Sequence, residues 1–207
     1  MSSIMDFFKA NYKRGGIALI GGTDFVSKAI REAESTFTPD KKPSKWSHAL
    51  LFGDMRPDHN DESGRSIYIF ESTINVTVKR LEVKNGAQEN WVGVHDGPDI
   101  EHICTIDFYP TKVDEILATA LQLVDDQMAY PIEGLLGYWL DIVLHKLWKQ
   151  NPLESIHAMV CSQYVRYCYS MSGEDFMGSD IAISNTAPEH IYQAGQKIGH
   201  VVEWSLV

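Results

Sequence analysis

The sequence predicts an α+β fold in which an antiparallel sheet packs against helices, and three observations carry that expectation. Short apolar runs with two-residue alternation fill the first half, the period turns helical near residue 113, and one more helix and strand close the chain. No internal repeat, low-complexity tract or Pro/Gly/Ser linker divides the 207 residues, so they read as one domain, 1–207.

Residues 17–20, Ile-Ala-Leu-Ile, form a short buried strand closed by Gly21 and Gly22. Thr23 is the expected cap of a helix whose apolar face is Val26, Ala29, Ile30 and Ala33. A lysine-rich loop around Pro39 and Pro43 leads to a second strand at 46–52. Beyond the polar turn 56–64, a third strand at 67–70 runs into Glu71, and Val76, Val78, Leu81 and Val83 continue the extended pattern. Strands at 91–94 and 103–108 complete this half. Val113, Ile116, Leu117, Ala120, Leu121 and Val124 then share one helical stripe, with Thr111 as candidate cap. Residues 131–148 read as a second helical region, Pro152 breaks it, and a third helix starts within 155–161. A helix from Pro188 and a strand over 198–204 finish the chain.

Composition removes several classes of function. Eighteen Lys and Arg against 28 Asp and Glu give a net charge of −10, which argues against binding nucleic acid, and the one dense basic cluster, Lys41, Lys42 and Lys45, reads as a solvated loop. An apolar fraction of 44% with 22% charged residues suits a globular protein rather than a disordered one. Cys104, Cys161 and Cys168 cannot all pair, and a helix holding Cys161 and Cys168 would separate them by about 10 Å, beyond the reach of a disulfide. Residues 1–14 lack the basic and apolar regions of a secretory signal, and 135–147 is too short and too charged to span a bilayer. The expectation is a protein made in the cytoplasm with no transmembrane segment, while export by another route or association with a phage particle stays open.

Cys161 is the candidate nucleophile. It lies on the apolar face of its helix with Tyr164, Val165 and Cys168, whereas Ser162, Gln163 and Arg166 point elsewhere, and a helix start near Val160 would place the thiol where the macrodipole favours thiolate. Read alone, a free cysteine is more often a small buried hydrophobe than a nucleophile. Among eight histidines, His48 stands inside the apolar run Trp46-Ser47-His48-Ala49-Leu50-Leu51-Phe52, where an imidazole is costly without a partner. His59, His95, His102 and His190 read as exposed, and His145 and His157 as helix residues. Glu71, at the end of Ile69-Phe70-Glu71, could reach His48 if the two strands pair. His95, Asp99, Glu101 and His102 fit no standard ligand spacing, so neither metal nor cofactor is expected.

In order, Gly15-Gly16-Ile17-Ala18-Leu19-Ile20, Trp46-Ser47-His48-Ala49-Leu50-Leu51, Ile69-Phe70-Glu71-Ser72 and Cys161-Ser162-Gln163-Tyr164-Val165 resemble the circularly permuted NlpC-type papain-fold hydrolases. The likeness is greatest to the YiiX-like branch, related to lecithin:retinol acyltransferase, and it spans about residues 15–195, including the helix entry at 186–192. The family usually opens its first strand with Gly-Asp, where this chain has Gly15-Gly16. The resemblance implies a permuted papain-like fold with the nucleophile helix late in the chain, Cys161 as nucleophile, His48 as general base and acid, and Glu71 orienting the imidazole. Tyr130, Ser47 and Ser162 are the residues it suggests for lining the site or binding an oxyanion. It also implies cleavage of an amide, foremost in a peptidoglycan stem peptide, through a thioester. Lipid amidase or acyltransferase chemistry is the alternative within the fold, and a non-catalytic papain-like binding module in a bacterial or phage assembly the alternative outside it. Residues 131–154 would be a helical lid or insertion, and 134–148 a surface for a protein partner or an acyl chain.

Overall fold

The computed structural model describes residues 3–57, 66–77, 82–127 and 160–204. Within them the fold is α+β, built on a six-stranded, wholly antiparallel sheet. The strands are β1 (Ile17–Gly22), β2 (His48–Arg56), β3 (Ser66–Thr77), β4 (Glu82–Trp91), β5 (Ile100–Asp107) and β6 (His200–Trp204). Their spatial order is β4-β3-β2-β1-β5-β6. The helices are α1 (Ile4–Asn11), α2 (Phe25–Ala33), α3 (Val113–Asp125), α4 (Cys161–Met171) and α5 (Pro188–Ile198). Tyr130, His59, His145, His157, the region 131–154 and the partner stretch 134–148 lie outside the described residues.

Alternation along the central strands gives the sheet two apolar faces. Ile17, Leu19, Ala49, Leu51, Phe70, Cys104 and Ile106 pack against Ile116, Leu117 and Ala120 of α3, Tyr164, Val165 and Cys168 of α4, and Ile191 of α5. On the opposite face Ala18, Ile20, Leu50, Phe52, Ile67, Ile69 and Ile103 receive Ile4, Phe7 and Phe8 of α1. A sheet covered on both sides explains why β1 reads as a continuous apolar run rather than an alternating one. Cys104, Cys161 and Cys168 are all buried free thiols. Among the described residues no helix is long and apolar enough to cross a membrane.

Several boundaries differ from the sequence expectation, each for a local reason. Strand β1 runs through Gly21 and Gly22, because β5 supplies partners for both at His102 and Ile100. Asp24, not Thr23, caps α2: its Oδ1 accepts the N–H groups of Val26 and Ser27 at 3.0 Å each, while the Thr23 N–H goes to the Asp99 carbonyl at 2.8 Å. None of α2 is buried, and Val26 is 55% exposed, so its apolar face borders a cleft instead of entering the core. Residues 66–77 and 82–91 form a hairpin of two long strands, and 92–95 is a 3-10 turn rather than a strand, because Trp91 already pairs with Tyr68 near the start of β3. Lys112 occupies the cap position of α3, and Thr111 is held instead by the Glu174 carboxylate, 2.9 Å from its N–H. Helix α5 extends to Ile198, with β6 starting two residues later, whereas α4 begins at Cys161, within the expected span. Gly15 adopts φ +78°, a left-handed conformation open to glycine at little cost, and this sets the turn into β1.

Candidate active site

Helix α4 starts where the extended Val160, φ −75° and ψ 165°, turns into Cys161. No N-cap side chain satisfies the first turn; instead the Gln163 Oε1 reaches back to the Val160 N–H at 3.2 Å. The Gln163 Nε2 donates to the Ser184 carbonyl, and the Ser162 hydroxyl donates to the Thr186 carbonyl at 2.6 Å. The start of the helix is thereby tied to the loop between α4 and α5, and Cys161, only 6% exposed, looks into a cleft of about 490 Å³.

His48 and Glu71 arrive through strand register. Leu51 pairs with Phe70, so Leu50 falls opposite Glu71, and His48, two residues away on the same face, is its diagonal neighbour. The His48 Nε2 lies 2.6 Å from the Glu71 Oε2. A carboxylate only accepts, so Nε2 carries a proton and Nδ1 is the nitrogen left for the thiol. The His48 imidazole and the backbone N–H groups of Ala49 and Ser162 lie beside the sulfur and favour its thiolate form.

The electrostatics favour an ion pair. Burial would keep the Cys161 thiol neutral, but the charge and hydrogen bond of His48 outweigh it and lower the thiol below its ordinary value. For His48, burial would expel the proton, yet the neighbouring sulfur and the Glu71 carboxylate outweigh it and raise the imidazole to about 10. Burial likewise opposes ionisation of Glu71, and hydrogen bonds from His48 and His95 overcome it and hold the carboxyl far below its usual range. Cys168 and Cys104 meet no such partner: burial pushes both thiols up, so Cys161 alone of the three is set apart as a thiolate.

Two residues at this site escaped the sequence reading. His95, expected at the surface, places its Nε2 2.9 Å from the same Glu71 Oε2, its ring centroid 5.4 Å from that of His48. Asn90 donates from Nδ2 to the Glu71 Oε1 at 2.6 Å. The β3–β4 register would have found Asn90, which pairs with Ile69 and shares a face with Glu71, but no periodicity marks the fold of 92–95 that returns His95. His190, also expected to be exposed, is buried, with Nδ1 accepting the Ala187 N–H at 3.1 Å. Of the suggested oxyanion residues, Ser47 lines the cleft but donates its hydroxyl to the Ile20 carbonyl at 3.2 Å, and the Ser162 hydroxyl is already taken by the Thr186 carbonyl. His95, Asp99, Glu101 and His102 form no ligand cluster; among the described residues the donor set that could close around a metal ion is His48, Glu71 and His95, within 4.8 Å of one another. No family model matches the chain, and no curated protein matches it either.

Proposed function

We propose that this protein is a cysteine hydrolase that cleaves an amide bond through Cys161, His48 and Glu71, in a permuted papain-like fold of the NlpC type. The observation that carries the reading is a thiol at a helix start, sharing a cleft with an imidazole whose far nitrogen is held by a buried carboxylate. The Cys161 thiolate attacks the carbonyl carbon, and N–H groups at the start of α4 stabilise the oxyanion. The imidazolium of His48 gives its proton to the leaving amine as the C–N bond breaks, leaving a thioester. His48 then takes a proton from water, whose oxygen attacks the thioester, and C–S cleavage releases the carboxylic acid and restores the thiolate beside the imidazolium. Glu71 fixes the ring and steadies its positive form.

The leading substrate is a peptide amide such as a peptidoglycan stem peptide. A lipid-derived acyl amide is the second reading, favoured by the aliphatic side chains of Ile20, Val26, Ile30 and Ile100, which share the cleft with Cys161. Assay of muropeptides against long-chain acyl amides separates the two. Cys161→Ala and Cys161→Ser are expected to lower turnover by about a thousandfold or more with circular dichroism unchanged. Full activity in both variants would overturn Cys161 as the nucleophile, and no turnover of either substrate class by the unmodified protein would leave a binding module.

A further inference from the structure

We propose that His95 is a positioning residue of this site, sharing the Glu71 carboxylate with His48 and so limiting how firmly Glu71 holds the base. The inference rests on the thiol-hydrolase reading.

Glu71 is 1% exposed, and an ionised carboxylate has no proton to give. Its three close partners must therefore all donate: His48 Nε2 at 2.6 Å and His95 Nε2 at 2.9 Å, both to Oε2, and Asn90 Nδ2 at 2.6 Å to Oε1. Three donors explain how an anion survives at this depth. They do not explain why two imidazoles meet on one oxygen. Two N–H groups on one oxygen compete for its charge, so each bond is weaker than it would be alone. The titratable groups facing Glu71 are His48 from β2, His95 from the 92–95 turn and Tyr164 from α4, and of these only His95 competes with His48 at Oε2.

The turn holding His95 is anchored for the purpose. Val92 is fully buried, and the Asp96 N–H closes the turn on the Gly93 carbonyl at 3.1 Å. The His95 side chain, 18% exposed, borders the cleft and had water available, yet its N–H is turned to Glu71. The chemistry benefits from a moderated carboxylate. His48 must be protonated beside the thiolate and unprotonated when it activates water, and a carboxylate concentrated wholly on His48 would favour the first state at the expense of the second.

The test compares His95→Leu, which removes the donor, with His95→Gln, which keeps an N–H, each checked for folding by urea denaturation. Cys161 alkylation by iodoacetamide is followed against pH by peptide mass spectrometry, and kcat and KM are measured with p-nitrophenyl acetate, whose leaving group needs no proton and so exposes the water step. In His95→Leu the alkylation midpoint is expected to move to lower pH by about half a unit, with kcat down about fivefold and KM within about twofold, and His95→Gln is expected to restore both. An unmoved midpoint, a midpoint displaced upward toward an ordinary thiol, or a Gln variant no better than Leu overturns the proposal. An ordinary thiol profile in the unmodified protein would instead remove the hydrolase reading, and this inference with it. A fast low-pH profile there, with His95→Leu indistinguishable from it, removes this inference alone.

Discussion

Arg166 uses all five of its N–H donors inside the protein. Nε and Nη2 grip the two oxygens of Asp175 at 3.0 and 2.9 Å, Nη2 also reaches the Gly178 carbonyl at 2.5 Å, and Nη1 binds the Ile181 carbonyl at 2.7 Å and the Thr186 hydroxyl at 3.0 Å. One guanidinium therefore folds the loop that in turn holds Ser162 and Gln163 at the start of α4. Arg166→Met is expected to cost about 3 kcal/mol in urea unfolding, because it leaves the partly buried Asp175 and two loop carbonyls without their donor. Arg166→Lys should recover little, since an ammonium has no planar fork. The sequence showed Ser162, Gln163 and Arg166 away from the apolar stripe, and that much is so. It did not show that all three are buried, because helical period separates faces without saying what later segment returns to cover them. His48, Glu71 and Cys161 were legible for a different reason: each is a polar group in an apolar context, an anomaly that needs no long-range information to notice. His95 is an unremarkable residue in a polar stretch, and only the path of 92–95 brings it to Glu71.

At the scale of elements, the sheet positions the site through the crossing of β1 and β2, where Ile20 pairs with His48. Gly21 makes that approach feasible: a Cβ there would stand 1.9 Å from the Lys45 carbonyl oxygen, a contact with backbone that no rotamer relieves. Gly21→Ala is expected to destabilise by about 2 kcal/mol or more and to slow Cys161 alkylation, as the segment leading into His48 is displaced. Matching loss of both, read from a urea midpoint and a labelling rate, would place the effect in this element. Strand and helix identities were mostly evident from period, while their ends were not. Ends depend on which side chain wins a few hydrogen bonds, as Asp24 does over Thr23, and on whether a neighbouring strand offers a partner, as Tyr68 does to Trp91 and to nothing beyond it.

For the whole molecule, buried titratable groups shape stability on both the acidic and the alkaline side. His190 is lowered by burial to about 4 from 6.5, so the unfolded chain binds its proton more readily and stability is lost as pH falls between those values; Glu71, held low by its donors, adds to the loss below 4.5. Burial raises Cys104 and Cys168 above their ordinary 9.0, so the folded state is penalised once unfolded thiols begin to ionise above that pH. Burial raises the Glu34 carboxyl well above its ordinary value and so opposes His190, stabilising the fold as pH falls toward 4.5. Urea midpoints of His190→Asn, whose Oδ1 can take the Ala187 N–H, should therefore drop less between pH 6.5 and 4 than those of the unmodified protein. The order of elements along the chain has a further effect. During vectorial synthesis, β1 to β5 leave the ribosome before α4 does, so the nascent protein carries its imidazole and carboxylate together while the sulfur is still unmade. Under the proposed reading, the base and its carboxylate are in place before the nucleophile joins them, so the reactive pair is the last part of the site to assemble.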